Sequence, residues 1–207
     1  MPFMTASRTA FTKIITEGKL DIAFTEEYSP VKFDDTSFYR NKFVKFDGAK
    51  GVDVIAVRKN QLLFMEIKDC EGDEPNNRWR IVPNNRKRDT TATAVNTENR
   101  DSVDIEVAQK VTMSLACLVG AMRQKDTDYI HNEWNGIPER LDLGRIPEIH
   151  IILFLTGDFS TKRMGEKMIL SKLQRSIETK LGWLKCRVLV ENMSTQKKKY
   201  YEARRRL

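Results

Sequence analysis

Residues 51–69 read GVDVIAVRKNQLLFMEIKD. Val52 to Val57 and Leu62 to Lys68 are apolar, largely β-branched runs, and the polar stretch Arg58 to Gln61 joins them as a turn, so the segment predicts two strands of a hairpin. Val54-Ile55-Ala56-Val57 and Leu62-Leu63-Phe64-Met65 are apolar at every position, the pattern of strands covered on both faces. Into this pair the sequence sets three charges: Asp53, Glu66 and Lys68. Alternation sends residues i and i+2 to the same face, so Glu66 and Lys68 point the same way. A turn over 58–61 puts Val57 beside Leu62. Counting four residues outward along each strand then brings Asp53 opposite Glu66.

Two carboxylates on one covered face repel and raise each other's pKa. A divalent cation between them removes the conflict, and Mg²⁺ typically takes one or two protein carboxylates together with water and substrate phosphates. A nearby ammonium can orient water or neutralise charge that develops on a phosphoryl group. The trio therefore suits metal-assisted phosphodiester hydrolysis. Glu-x-Lys by itself carries little information, because Glu17–Lys19 and Glu178–Lys180 repeat it. Only the copy at Glu66–Lys68 lies on an apolar strand next to another that carries an acid.

Outward from the hairpin, residues 5–18 predict a first helix, with Phe11, Ile14 and Ile15 apolar and Gly18 as its stop. Residues 38–46, FYRNKFVKF, predict a strand. Residues 71–102 form a polar insertion containing the basic cluster Arg86-Lys87-Arg88. A segment of that length without its own pattern is commonly functional or disordered. From Asp101 a long helix is expected, with Val103, Val107, Val111, Leu115, Leu118 and Met122 as its apolar stripe. Residues 149–157 predict a buried strand, 164–181 a helix, and Cys186 onward a last strand. The fold class is α/β, a mixed central sheet flanked by helices.

The stretch GVDVIAV…LLFMEIKD resembles the PD-(D/E)xK, or restriction-endonuclease-like, nuclease superfamily. There an Asp on one strand is followed across a hairpin by Glu-x-Lys. The resemblance covers roughly residues 5–157 and its specific motif only 51–69. It implies an αβββαβ core to which this chain adds a helix and a strand. It implies Mg²⁺ or Mn²⁺ held by Asp53, Glu66 and the main-chain carbonyl of Ile67, with Lys68 as the catalytic lysine. The residue before Asp53 is Val where the motif's name has Pro. Members often add an acid from the first helix, for which Glu17 is the candidate, with Glu26 and Glu27 as rivals. They also place a polar residue of the second helix beside the site, here Gln109 or Lys110. The implied activity is that of a metal-dependent nuclease, on DNA rather than RNA. Duplex cleavage often needs two active sites, which a homodimer would supply.

The net charge of +7 is uneven. The last twelve residues, QKKKYYEARRRL, hold six bases and one acid, or +5, which leaves about +2 for the rest. Residues 1–193 thus read as a single domain and 194–207 as a basic tail, either solvated or a phosphate-binding arm through Lys197, Lys198, Lys199, Arg204, Arg205 and Arg206. Tyr200 and Tyr201 would be its stacking groups. Cys70, Cys117 and Cys186 are odd in number and form no CxxC pair, which argues against a disulfide framework or a structural zinc site. No run of 18 apolar residues is present, so a cytoplasmic protein without a membrane span is expected. The competing expectation is a non-catalytic nucleic-acid-binding or assembly subunit with the same fold.

Overall fold

The computed structural model describes residues 11–59, 61–70, 80–84, 101–124, 148–157, 159 and 165–206. In chain order these form β1 (Phe11–Glu17), β2 (Leu20–Thr25), β3 (Ser29–Lys32), α1 (Ser37–Asn41), β4 (Val54–Arg58), β5 (Gln61–Asp69), α2 (Val103–Gln124), β6 (Glu148–Thr156), α3 (Glu166–Lys180), β7 (Arg187–Asn192) and β8 (Tyr201–Arg205). The fold is mixed α/β.

The central sheet has five strands in the order β3-β4-β5-β6-β7. β4 is antiparallel to both β3 and β5, while β6 is parallel to both β5 and β7. A parallel neighbour requires a crossover, and α2 lies in the connection from β5 to β6. A second sheet, β1-β2-β8, is antiparallel throughout.

The inner strands β4, β5 and β6 are largely apolar on both faces because both are covered. Ile55, Val57, Leu62, Phe64, Ile151 and Leu153 share one core with Val103, Val107 and Val111 of α2 and Leu173 and Ile177 of α3. Val54, Ala56, Leu63, Met65, Ile152 and Phe154 share the other with Ile22, Phe24 and Tyr201 of the three-stranded sheet. The architecture is therefore helices, central sheet, second sheet. Helix α2 is long and apolar enough to cross a membrane, but its Val107, Val111 and Leu118 are buried in the first core.

Several expectations hold. The hairpin pairs Val57 with Leu62, the register that the turn length predicts. The long helix, the strand at 148–156, the helix at 166–180 and the strand from 187 all form. Three expectations are corrected. No helix spans 11–17; that segment is β1, the first arm of a hairpin with β2. Its Ile and Thr residues favour strand, and Gly18 takes φ +54 in the two-residue turn. The register shifts between Phe11 and Lys13, and Ile14 is exposed while Ile15 packs against the second core, so the three apolar positions imitate helical spacing without sharing a face.

Residues 38–46 are not a strand but α1 and a 3₁₀ turn, Phe43–Lys45. Their aromatics meet along the chain, Tyr39 with Phe43 at 6.0 Å and Phe43 with Phe46 at 6.4 Å. Spacings of four and three bring side chains together on a helix. The third strand of the antiparallel set is instead β3. Finally, 194–207 is not a free tail, because β8 pairs antiparallel with β2. Tyr200 and Tyr201 are buried rather than offered to bases.

That last correction predicts the outcome of truncation after Met193. Deleting β8 removes Tyr201 and Ala203 from the second core and uncovers Ile22 and Phe24. Loss of one large buried aromatic costs about 3–5 kcal/mol, so the truncated chain is expected to lose cooperative melting. A cooperative transition at the parent temperature would show that the second sheet stands without its last strand.

Candidate active site: a buried chain of alternating charges

Asp53 immediately precedes β4, and its main-chain carbonyl accepts the Phe33 N–H at 2.9 Å. Its Oδ2 accepts the Ile67 N–H at 2.6 Å. This bond spans the hairpin and fixes the carboxylate against the end of β5. Glu66 alternates with Phe64 and Leu62 onto the helical face, where it is 1% exposed. Helix α2 crosses above and is fastened to the lead-in of β4 by the Val52 N–H on Ser114 Oγ (3.0 Å) and Lys50 Nζ on Gln109 Oε1 (2.7 Å). Gly51 permits the close passage, since a Cβ there would lie 2.9 Å from Tyr39 Cε2.

Lys110 Nζ lies 2.7 Å from Glu66 Oε1 and 3.3 Å from Asp53 Oδ1, so both acids converge on one ammonium. Lys68 Nζ lies 2.7 Å from the same Glu66 oxygen and 2.9 Å from Glu106 Oε1. The second Glu106 oxygen receives the Arg80 guanidinium. The order Asp53, Lys110, Glu66, Lys68, Glu106, Arg80 alternates in sign throughout. Such alternation satisfies the requirement that buried charges be paired.

Burial and the Asp53 charge push Glu66 up to about 7 despite the two lysines. Burial acts to depress Lys110 and Lys68, but Glu66 outweighs it and both stay above the usual lysine range. Burial would raise Glu106, yet Lys68 and Arg80 carry it down to about 2. Asp34, in the 3₁₀ turn Phe33–Asp35, rises to about 6 through burial and the neighbouring Asp53 charge.

Of the site residues expected from sequence, the structure brings Asp53, Glu66 and Lys68 together. For Ile67 it shows the amide N–H bound to Asp53. Glu17 pairs with Lys32 Nζ at 3.0 Å, and its charge reaches Asp34. Glu27 pairs with Arg58, and Glu26 is exposed. Gln109 is directed to Lys50, and its neighbour Lys110 enters the site instead. Arg86, Lys87 and Arg88 lie outside the described residues. Lys198 and Arg204 both pair with Glu202, 2.5 Å each. Sequence reasoning missed Asp34, Arg80 and Glu106. For Glu106 a signal exists: Glu106, Lys110 and Ser114 recur every four residues beside the apolar line Val103, Val107, Val111, so all three lie on one edge of the buried face.

Residues 36–204 match a family model described as a family of unknown function, DUF6661. The chain belongs to that family. No curated protein and no solved structure matches it. The DUF6661 match includes all six members of the charge chain and begins after β3.

Whether the site suits a divalent cation turns on its oxygens. Glu66 Oε2 is buried and has no hydrogen-bond partner among the described residues, and each carboxylate oxygen has more than one lone pair to offer. Asp53 and Glu66 already share a cation in Lys110. These two acids fit a hard ion completed by water and phosphate oxygens. Among the described residues no group of three or more His, Cys, Asp or Glu side chains is placed to hold a metal ion.

Glu106 also makes a prediction about acid stability. Its folded pKa lies below its unfolded one, so its contribution is present above about pH 4.5 and is lost as pH falls through about 2. The side chain is 16% exposed, and the contribution is on the order of 2–3 kcal/mol. Urea titrations at pH 6 and pH 3 should show Glu106→Gln losing about 2 kcal/mol less than the parent on acidification. Equal losses in the two proteins would place the acid sensitivity elsewhere.

Proposed function

We propose that this protein is a metal-dependent nuclease of the restriction-endonuclease-like kind, acting on DNA with Mg²⁺ or Mn²⁺. The observation that carries the reading is the convergence of Asp53 and Glu66 on one cationic position, with Lys68 bound to the same Glu66 oxygen and an unpartnered oxygen left on that carboxylate. The run β3-β4-β5, then α2, then the parallel β6 is compatible with the βββαβ part of such a core; the leading helix has no counterpart in 11–17.

Asp53 and Glu66 would hold the metal, which when bound acidifies water and stabilises charge on a phosphoryl group. Lys68 acts as a hydrogen-bond donor and a positive charge, because its raised pKa keeps it protonated near neutrality. Glu106 Oε1 also holds that ammonium, at 2.9 Å. The apolar cores on both faces of the hairpin keep the acids in place without water-filled slack.

A second reading, a non-catalytic nucleic-acid-binding or assembly subunit, is favoured by one observation. The Lys110 ammonium already neutralises both acids, as a permanent counter-ion would. Incubating the protein with plasmid, single-stranded DNA and RNA, each with Mg²⁺, Mn²⁺ or EDTA, separates the two. Metal-dependent scission of DNA is expected. Salt-sensitive binding without turnover under every condition would select the second reading.

A further inference from the structure

A second cluster lies on the other face of the central sheet. His150, near the start of β6, and Glu191 of β7 share the face that carries Ile152 and Phe154, whereas Glu66 is on the helical face beside Leu153. Between these two strands and the segment entering β8 is a cavity of about 220 Å³. Arg187, Lys197 and Lys199 line its exposed side, and Tyr200 and Tyr201 form its wall.

The buried groups there are not satisfied. Glu191 is 5% exposed; its Oε2 accepts the Tyr201 hydroxyl at 2.7 Å, but its Oε1 has no partner among the described residues. His150 is 1% exposed and its Nδ1 is likewise unpartnered. Its Nε2 lies 3.3 Å from Glu148 Oε1 without hydrogen-bond alignment. The Tyr200 ring packs edge-on at 5.0 Å and holds the imidazole in place. Two orphaned polar groups in one small cavity are uncommon, since buried polar atoms are normally hydrogen-bonded.

An occupant must therefore give a donor to Glu191, exchange a hydrogen bond with His150 and bring negative charge to the lysines. The cavity is smaller than the roughly 300 Å³ at which ordinary small-molecule pockets begin. It suits one planar ring, with the charged group left at the rim. We propose that this cavity binds a nucleotide with an amino-substituted base, the amine on Glu191 and the phosphate between Lys197 and Lys199.

Calorimetric titration of the full chain with CMP, UMP and inorganic phosphate, without divalent metal, tests this. CMP should bind at least about tenfold more tightly than UMP, a difference of about 1.4 kcal/mol, and phosphate should bind more weakly than either. In Glu191→Gln the Tyr201 hydroxyl retains the amide oxygen, which turns the NH₂ toward the cavity. The preference should then reverse to UMP, whose exocyclic C4 carbonyl oxygen accepts where the CMP amine donates. Lys197→Ala with Lys199→Ala should weaken both nucleotides alike. The titration omits the divalent metal that the Asp53–Glu66 site would need, so this result stands apart from the hydrolytic reading. Equal affinity for CMP and UMP, a preference unmoved by Glu191→Gln, or no nucleotide binding would each overturn the proposal.

Discussion

Glu66→Gln is expected to remain folded and to lose metal-dependent DNA cleavage by roughly a hundredfold or more. The amide keeps the volume and can still accept from Lys110 or Lys68, but it withdraws the charged ligand on which the metal depends. Alanine is the harsher change. Breaking a buried pair by removing one partner costs about 3–5 kcal/mol, and Glu66 is bound by two lysines. Lys68→Met should lose turnover in a different manner. It leaves both acids, so Mn²⁺ binding should persist while cleavage falls. Melting curves beside the cleavage assay distinguish lost chemistry from lost structure. If folded Glu66→Gln and Lys68→Met both cut DNA at the parent rate, the site does not perform the hydrolysis.

The second large effect is expected from Lys110→Met. Removing this ammonium leaves Asp53 and Glu66 facing each other on a buried surface. Glu66 is already raised to about 7 with Lys110 present, and its loss raises it further. A carboxyl whose folded pKa exceeds its unfolded value makes the fold less stable as pH rises from about 4.5 through its folded pKa. The variant should therefore be destabilised by about 3–5 kcal/mol at pH 8 and by less at pH 6, where Glu66 is largely protonated. Mn²⁺ should restore stability at pH 8, and by more than it stabilises the parent, because the ion takes the position vacated by the ammonium. Melting that ignores both pH and Mn²⁺ would show that these two acids do not form a cation site.

The parts of this molecule written in local pattern are those with strong periodicity. The hairpin register follows from a turn whose length can be counted, and parity alone puts Glu66 and Lys68 on one face. The N-terminal hairpin was not legible because a bulge shifts the phase of β1. β8 was not, because its strand character is hidden among arginines and depends on β2, far away in the chain. In the site, the choice between Gln109 and Lys110 needs the rotation of α2 against the sheet. One residue turns the helix by about 100°, which separates a ligand of Lys50 from a group that bridges two acids. Arg80 is brought in by a turn and Asp34 by a single 3₁₀ turn, segments too short for a period to place them.

The pairing of Leu20 with Arg205 has a consequence for biosynthesis. β1 and β2 are made before any strand of the central sheet, whereas β8, the second neighbour of β2, follows the last of them. Until then one edge of β2 is unpaired and Ile22 and Phe24 lack their cover, a state open to sheet-edge association between nascent chains. Closing a contact between segments so far apart in the sequence is slow, so the pairing of β2 with β8 is expected late in folding.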